Sequence, residues 1–281
     1  MRLGIFAKTF VGTSPAAVLR ATREAGFSAA QYNMACSGLA AMPDAIEAQT
    51  AEDVAATATR IGVEIAAVSG TYNMIHPDPA VRAAGHARLE TLAARCRTMG
   101  TRLVTLCTGT RDPDDQWRGH ADNHAPDAWR DLLEAMEIAL TTAERHDVDL
   151  GIEPELANVV DGAAKARRLI DDLASPRLKI VLDPANLFEI ASLDEQRRLV
   201  SEAVERLADR IVMGHAKDRT PEGGFTTAGR GVLDYPHYLG CLRAIGFDGA
   251  LVAHGLSAEE APGVARFLAT TAGAAGFRLE P

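Results

Sequence analysis

Eight short apolar runs recur along the chain, and each is followed by a longer stretch with helical periodicity. The runs fall at residues 3–6, 29–32, 65–69, 103–107, 149–153, 180–183, 211–215 and 251–254. Most are apolar without alternation, as expected of parallel strands covered on both faces. Between them, Val81, Leu89, Leu92, Cys96 and Met99 share one stripe at a period near 3.6. Trp129, Leu132, Leu133, Met136, Leu140 and Ala143 share another, as amphipathic helices require. Ser14-Pro15 places a cap before a proline at the first helical position. Ser192 with Glu195, and Ser257 with Glu260, have capping-box spacing. Gly26, Gly62 and Gly100 sit where helices should end. Strand then helix, eight times over, predicts a single (β/α)8 TIM barrel in the α/β class. A doubly wound open sheet is the rival, but the first strand runs into FAKTFVG, with no glycine-rich dinucleotide fingerprint. No linker or composition shift divides the chain, so residues 1–281 read as one domain.

In a barrel of this kind, reacting groups gather at the carboxyl ends of strands. The last four runs end LGIE, IVLD, IVMGH and LVAH, which places Glu153, Asp183, His215 and His254 at one mouth. A carboxylate closing a buried strand is costly to desolvate unless a positive or hydrogen-bonding group meets it. Two carboxylates and two imidazoles converging there would suit one divalent metal ion, which would offset that cost. Taken alone, an Asp before Pro184 reads equally as a cap, and a lone His is more often structural than a ligand. The four together favour the metal.

Other polar residues near the mouth are candidates for substrate contact. Lys217 lies two residues past His215 and should point inward to hold a phosphate or carbonyl oxygen, with an ion-pair role as the alternative. Asn186 follows Asp183 in DPAN, where it could cap the next helix. His76 lies at the rim after the third strand. Residues 108–127 form the longest irregular stretch, on the catalytic rim, and Trp117, His120 and His124 would make it a mobile lid over a substrate, with Trp117 as a mere anchor of the loop the equal alternative. Gly229-Arg230-Gly231 would bring backbone N–H groups and a guanidinium to a phosphate. Glu155 reads as a rim charge or a neighbour of the metal ligands, with the rim favoured.

Composition narrows the partners. The 281 residues carry a net charge of −9 and are 47% hydrophobic. The anionic balance disfavours nucleic acid, and no run of about 18 apolar residues suggests a membrane span. Cys36, Cys96, Cys107 and Cys241 form no C-x-x-C pair and read as reduced, packed thiols. With no signal sequence apparent in MRLGIFAKTF, the expected location is cytoplasmic. A homo-oligomer is compatible with the sequence.

GIEPELANVV, IVLDPANLF, GHAKD and GRGVLDY, together with the early TYNMIHPD, resemble the sugar phosphate isomerase/epimerase family of xylose-isomerase-like barrels. The resemblance spans nearly the whole chain and implies a small carbohydrate-like substrate as partner, with a substrate contact at Asn186 as the equal alternative to its capping role. It implies one Mn, Mg, Co or Zn ion held by Glu153, Asp183 and His215, with a second glutamate at the place where this chain has His254. That replacement removes a negative charge and adds a nitrogen ligand, which favours Zn, Mn or Co over Mg. The chemistry implied is isomerisation or epimerisation of a sugar, sugar phosphate or related hydroxy-ketone through an enediolate, with Glu153 as base. Epimerisation in such relatives uses two glutamates, so loss of the second favours one-base isomerisation. His254 is then either a fourth ligand or a pocket wall able to act as a weak second base. A lyase or dehydratase on a sugar-like acid uses the same enediolate, and a non-catalytic sugar-binding barrel is a further alternative. Apurinic-site endonucleases share the superfamily, but their extra metal-binding histidines are missing from the strand ends VSG, LCT and DPAN.

Overall fold

A computed structural model describes residues 1–280. Eight parallel strands close on themselves: β1 (Arg2–Phe6), β2 (Ala29–Tyr32), β3 (Glu64–Ser69), β4 (Leu103–Leu106), β5 (Asp149–Ile152), β6 (Leu178–Leu182), β7 (Ile211–Ala216) and β8 (Ala250–Ala253). Closure comes from β1 pairing in parallel with β8, Leu3 opposite Leu251 and Ile5 opposite Ala253. The eight major helices are α1 (Pro15–Glu24), α2 (Ala48–Ile61), α3 (Pro79–Cys96), α4 (Pro126–His146), α5 (Ala163–Leu173), α6 (Leu193–Leu207), α7 (Tyr235–Ala244) and α8 (Ala261–Ala274). They alternate with the strands, so the chain folds as a (β/α)8 barrel, as its pattern predicts.

Most of the buried apolar side chains pack between helices and strands. A smaller cluster of Ala29, Ala67, Val181, Met213, Ala250 and Val252 is separate from that layer. Glycines tighten the barrel there: a Cβ on Gly4 would lie 3.0 Å from Val252 Cγ2, and one on Gly151 would lie 2.9 Å from Val181 Cγ2. This plug fixes which residues face inward higher up. Successive strand side chains alternate between faces, so the residues two positions further along face the same axis.

Helix starts follow local chemistry. The Ser14 side chain accepts from Ala17 N–H with Pro15 at the first position, and Ser192 accepts from Glu195 N–H. Gly62 closes α2 at φ 74°. Two expectations need correcting. Ser257 does not cap α8. The Glu260 carboxylate accepts the Ser257 N–H, but residues 258–260 form a turn and the helix begins only at Ala261. Val81 is exposed, because it lies in the first turn of α3, beyond the reach of the core that covers Leu89, Leu92 and Cys96. Cys36, Cys96 and Cys107 are buried free thiols, and Cys241 is half-buried. Among the described residues no helix is long and apolar enough to cross a membrane.

Candidate functional site

The inward-facing positions form a comb with teeth two residues apart. Above the apolar plug come Phe6, Gln31, Ser69, Thr105, Glu153, His215 and His254, and above them Asn33, Thr71, Cys107, Glu155 and Lys217, joined by Lys8 from the 3-10 turn Ala7–Thr9. All line one cavity of about 450 Å³ at the carboxyl end of the barrel. Asp183 stands two residues after the plug residue Val181 and is almost wholly buried beside the cavity.

One ligand atom from each of Glu153, Asp183, His215 and His254 lies within 4.8 Å of the others. The four strand-end residues singled out in the sequence therefore do converge. Glu153 Oε1 lies 3.1 Å from His215 Nδ1 and accepts from Asn186 Nδ2 at 2.9 Å. Asp183 divides its work. Oδ1 accepts from Ala185 N–H, capping a short 3-10 turn, while Oδ2 faces His254 Nε2 at 2.9 Å and Lys217 Nζ at 3.4 Å. The cap and cluster readings of this residue hold together.

The orientation of His215 is set from β2. Gln31 Nε2 donates to Thr105 Oγ1 at 2.9 Å, which leaves Gln31 Oε1 to accept from His215 Nε2 at 2.8 Å. With Nε2 occupied as a donor, Nδ1 is the nitrogen turned to the cluster, the arrangement by which an outer hydrogen bond fixes a ligating imidazole.

The charges offset one another. Burial pushes the Glu153 carboxyl up, but His215 and His254 outweigh it and leave it below the usual range. Asp183 is also held low, burial being overcome by Lys217, the hydrogen bond with His254 and both imidazoles. Burial alone would lower His215, yet the Glu153 charge raises it. His254 is lowered, first by burial and then by His215. Lys217 stays an ammonium because Asp183, Glu153 and Glu155 together exceed its desolvation.

Lys217 reaches the cavity as expected. Its Nζ donates to Asn186 Oδ1 at 3.0 Å and sits 3.7 Å from the centre of the Phe225 ring, a cation–π contact. Phe225 lies on a two-residue strand paired with Asp218–Arg219. Trp117 lies at the edge of the cavity, half exposed, between it and a neighbouring groove. Its loop is tied down by Arg118–Asp112 and by Asn123 to Thr110 and Ala157.

Five residues expected to contact substrate or to form its lid are committed elsewhere. Asn186 is fully buried and neither lines the cavity nor caps a helix; it bridges Glu153 and Lys217. His76 staples two loops, its Nε2 bonded to Pro113 O at 3.0 Å and its Nδ1 accepting from Asp78 N–H, and it faces the neighbouring groove. His120 and His124 are spent on the Asp122 N–H and on Lys165. Arg230 is exposed and pairs with Glu260 at 2.8 Å. The backbone N–H groups of Gly229 and Gly231 are filled by the Asp218 carboxylate, at 3.0 and 3.1 Å, so the anion of that nest belongs to the chain itself. A Cβ on Gly231 would lie 2.1 Å from Arg219 O, so only glycine fits there.

Sequence reasoning underrated Glu155 and missed Gln31. Glu155 lines the cavity, and burial, followed by the charge of Glu153, raises it to about 7. Both residues sit on the two-residue comb, which is the signal that identifies them.

The chain matches the xylose isomerase-like TIM barrel over residues 19–269. It belongs to that family. No curated protein sequence matches it. Among solved structures it is similar to an L-ribulose 3-epimerase at 19% identity, TM-score 0.76, covering 98% of this chain and 95% of that one. It is similar to the IolI protein with a bound zinc atom at 16% identity, TM-score 0.74, covering 98% and 99%. A third likeness is to the probable 3-DHS dehydratase AsbF from Bacillus anthracis, at 14% identity, TM-score 0.75, covering 96% and 99%. Likeness at these identities establishes the fold. Sugar epimerases recur among the matching structures.

Proposed function

We propose that the chain is a divalent-metal-dependent isomerase of a carbohydrate-like hydroxy-ketone, moving a proton at the carbon beside the carbonyl. The observation that carries this reading is the four-residue cluster of Glu153, Asp183, His215 and His254 at the floor of the cavity. Two carboxylates and two imidazoles in such proximity suit Zn, Mn or Co better than Mg, and the zinc of IolI supports a metal in this fold. When bound, the ion would polarise neighbouring oxygens of the substrate and acidify the C–H between them.

The residues divide the remaining work. Glu153 takes the proton. Asn186 holds Oε1, which fixes the carboxylate plane, and its low pKa keeps it ionised. Lys217, held by Asn186 and Asp183, presents Nζ to the cavity and stabilises the developing enediolate oxygen. Glu155 stands one tooth above Glu153 on the same strand end. On the wall formed by β1 to β4, the lining residues are Phe6, Lys8, Gln31, Asn33, Ser69, Thr71, Thr105, Leu106 and Cys107, with no carboxylate or imidazole among them. The second glutamate that the resemblance implies has its place at His254, whose imidazole is committed to Asp183 and the cluster; proton handling is therefore left to Glu153 on one side, which favours isomerisation over two-base epimerisation. The same one-sided enediolate can expel a β-hydroxyl, and the probable dehydratase among the similar structures keeps that elimination as the second reading.

The test is incubation of metal-loaded protein in deuterium oxide with ketoses, ketose phosphates and keto acids, followed by NMR. Isomerisation gives one deuterium at the carbon beside the carbonyl and a new aldose. Elimination gives an enone absorbance instead. Absence of C–H exchange with every substrate refutes the enediolate reading.

A further inference from the structure

The wall opposite the cluster contains polar groups that the chain does not use. Asn33 is 4% exposed; its Oδ1 accepts from Ala35 N–H, while among the described residues its Nδ2 has no hydrogen-bond partner. That Nδ2 is also absent from the fully enclosed unsatisfied atoms, which are Asn158 Nδ2 and Gln196 Oε1. It is therefore reached from the cavity that Asn33 lines. Ser69, 8% exposed, lines the same wall with its hydroxyl likewise unpartnered among the described residues.

Lys8 completes the wall. Phe6 and Gln31 pair across β1 and β2; Asn33 follows β2 in extended backbone, while Lys8 lies in the 3-10 turn Ala7–Thr9 that follows β1, and its exposed side chain lines the same cavity. The cavity lining contains two cations. Lys217 is held by Asp183, whereas Lys8 meets no carboxylate within ion-pair distance among the described residues. The cluster would grip the reacting end of a substrate, so the far end of an extended molecule falls against β1 to β3.

Resting on the reading above, we infer that the substrate is an open-chain polyhydroxylated compound ending in an anionic group, a carboxylate or a phosphate. Lys8 takes that anion, and Asn33 and Ser69 take the hydroxyls next to it. The guanidinium of Arg230, committed to Glu260, plays no part.

The test is calorimetric binding of three unreactive probes, ribitol, D-ribonate and ribitol 5-phosphate, to metal-loaded protein. At least one anionic probe is expected to bind tenfold or more tightly than ribitol. Lys8→Gln should erase that preference while leaving the ribitol Kd within about twofold, and Lys8→Arg should restore it. Whichever of ribonate and ribitol phosphate carries the preference identifies the carboxylate or the phosphate. Equal binding of all three, binding of neither anion, or a preference that survives Lys8→Gln overturns the assignment. Repeating the series on metal-stripped protein separates the two readings. If the metal reading fails but this one holds, metal will not change ribitol binding while the Lys8-dependent preference persists. If this one fails alone, metal will tighten ribitol binding with no preference for an anion.

Discussion

The two halves of the barrel mouth are built on the same two-residue comb and differ in what they do with it. On β5 to β8 every tooth of the middle layer is ionisable, and each is committed to another: Glu153 to His215, Asp183 to His254 and Lys217. On β1 to β4 the same layer is Phe6, Gln31, Ser69 and Thr105, neutral throughout. Gln31 crosses the gap to orient His215, and Thr105 supports Gln31. The lesson is a division of labour. One half concentrates charge that a cation would satisfy. The other leaves donors and acceptors free for a substrate, with one member lent to the metal side.

The largest effect should come from the charged half. Asp183→Ala removes a ligand and leaves Lys217 and His254 facing one another without their carboxylate. Metal affinity should fall by roughly a hundredfold or more, read by titration of stripped protein; unchanged affinity would remove the distinction between the halves. Asn186→Ala sharpens it. That variant should keep its metal while turnover falls about 10–100-fold, because Glu153 and Lys217 lose the amide that aligns them. Metal loss in Asn186→Ala would instead mean that it acts on the ligands and not on the base.

How far the sequence exposes this division depends on the residue. Glu153, Asp183, His215 and His254 are legible because each is the polar residue that ends an apolar strand, and burial makes such an ending conspicuous. The barrel itself is legible from the eightfold alternation, with strand ends displaced by a residue or two, since Leu178 and Glu64 extend their ladders where apolarity is weaker. Gln31 and Thr105 are not legible as site residues. They look like ordinary strand polar residues until the plug of Ala29, Val181 and Met213 fixes the inward face. Arg230 and His76 mislead for the opposite reason: the motif is present, but Asp218, Glu260 and Pro113 already fill it. No local pattern records a partner that arrives from another loop.

Smaller effects belong to the neutral half. Ser69→Ala should raise KM by up to about tenfold, one net hydrogen bond being worth about 1 kcal/mol, with kcat and metal content unchanged. A drop in metal content would show that this wall also supports the ion. Gln31→Ala is the crossover case. It frees His215 Nε2 and should weaken metal binding by about tenfold, an effect that Ser69→Ala lacks. Trp117→Ala should change least, a few-fold in KM, because the ring stands at the edge, half exposed.

The central claim is that four side chains from β5 to β8 hold one ion, with His254 among them. Its most direct test is titration of Mn2+ into chelator-stripped wild-type and His254→Ala protein, followed by electron paramagnetic resonance. The account predicts one Mn2+ per chain in the wild type, with nitrogen hyperfine coupling from two imidazoles, and a clear loss of affinity with one coupling gone in His254→Ala. A wild type that binds no ion, or a His254→Ala variant with unchanged affinity and spectrum, would contradict it.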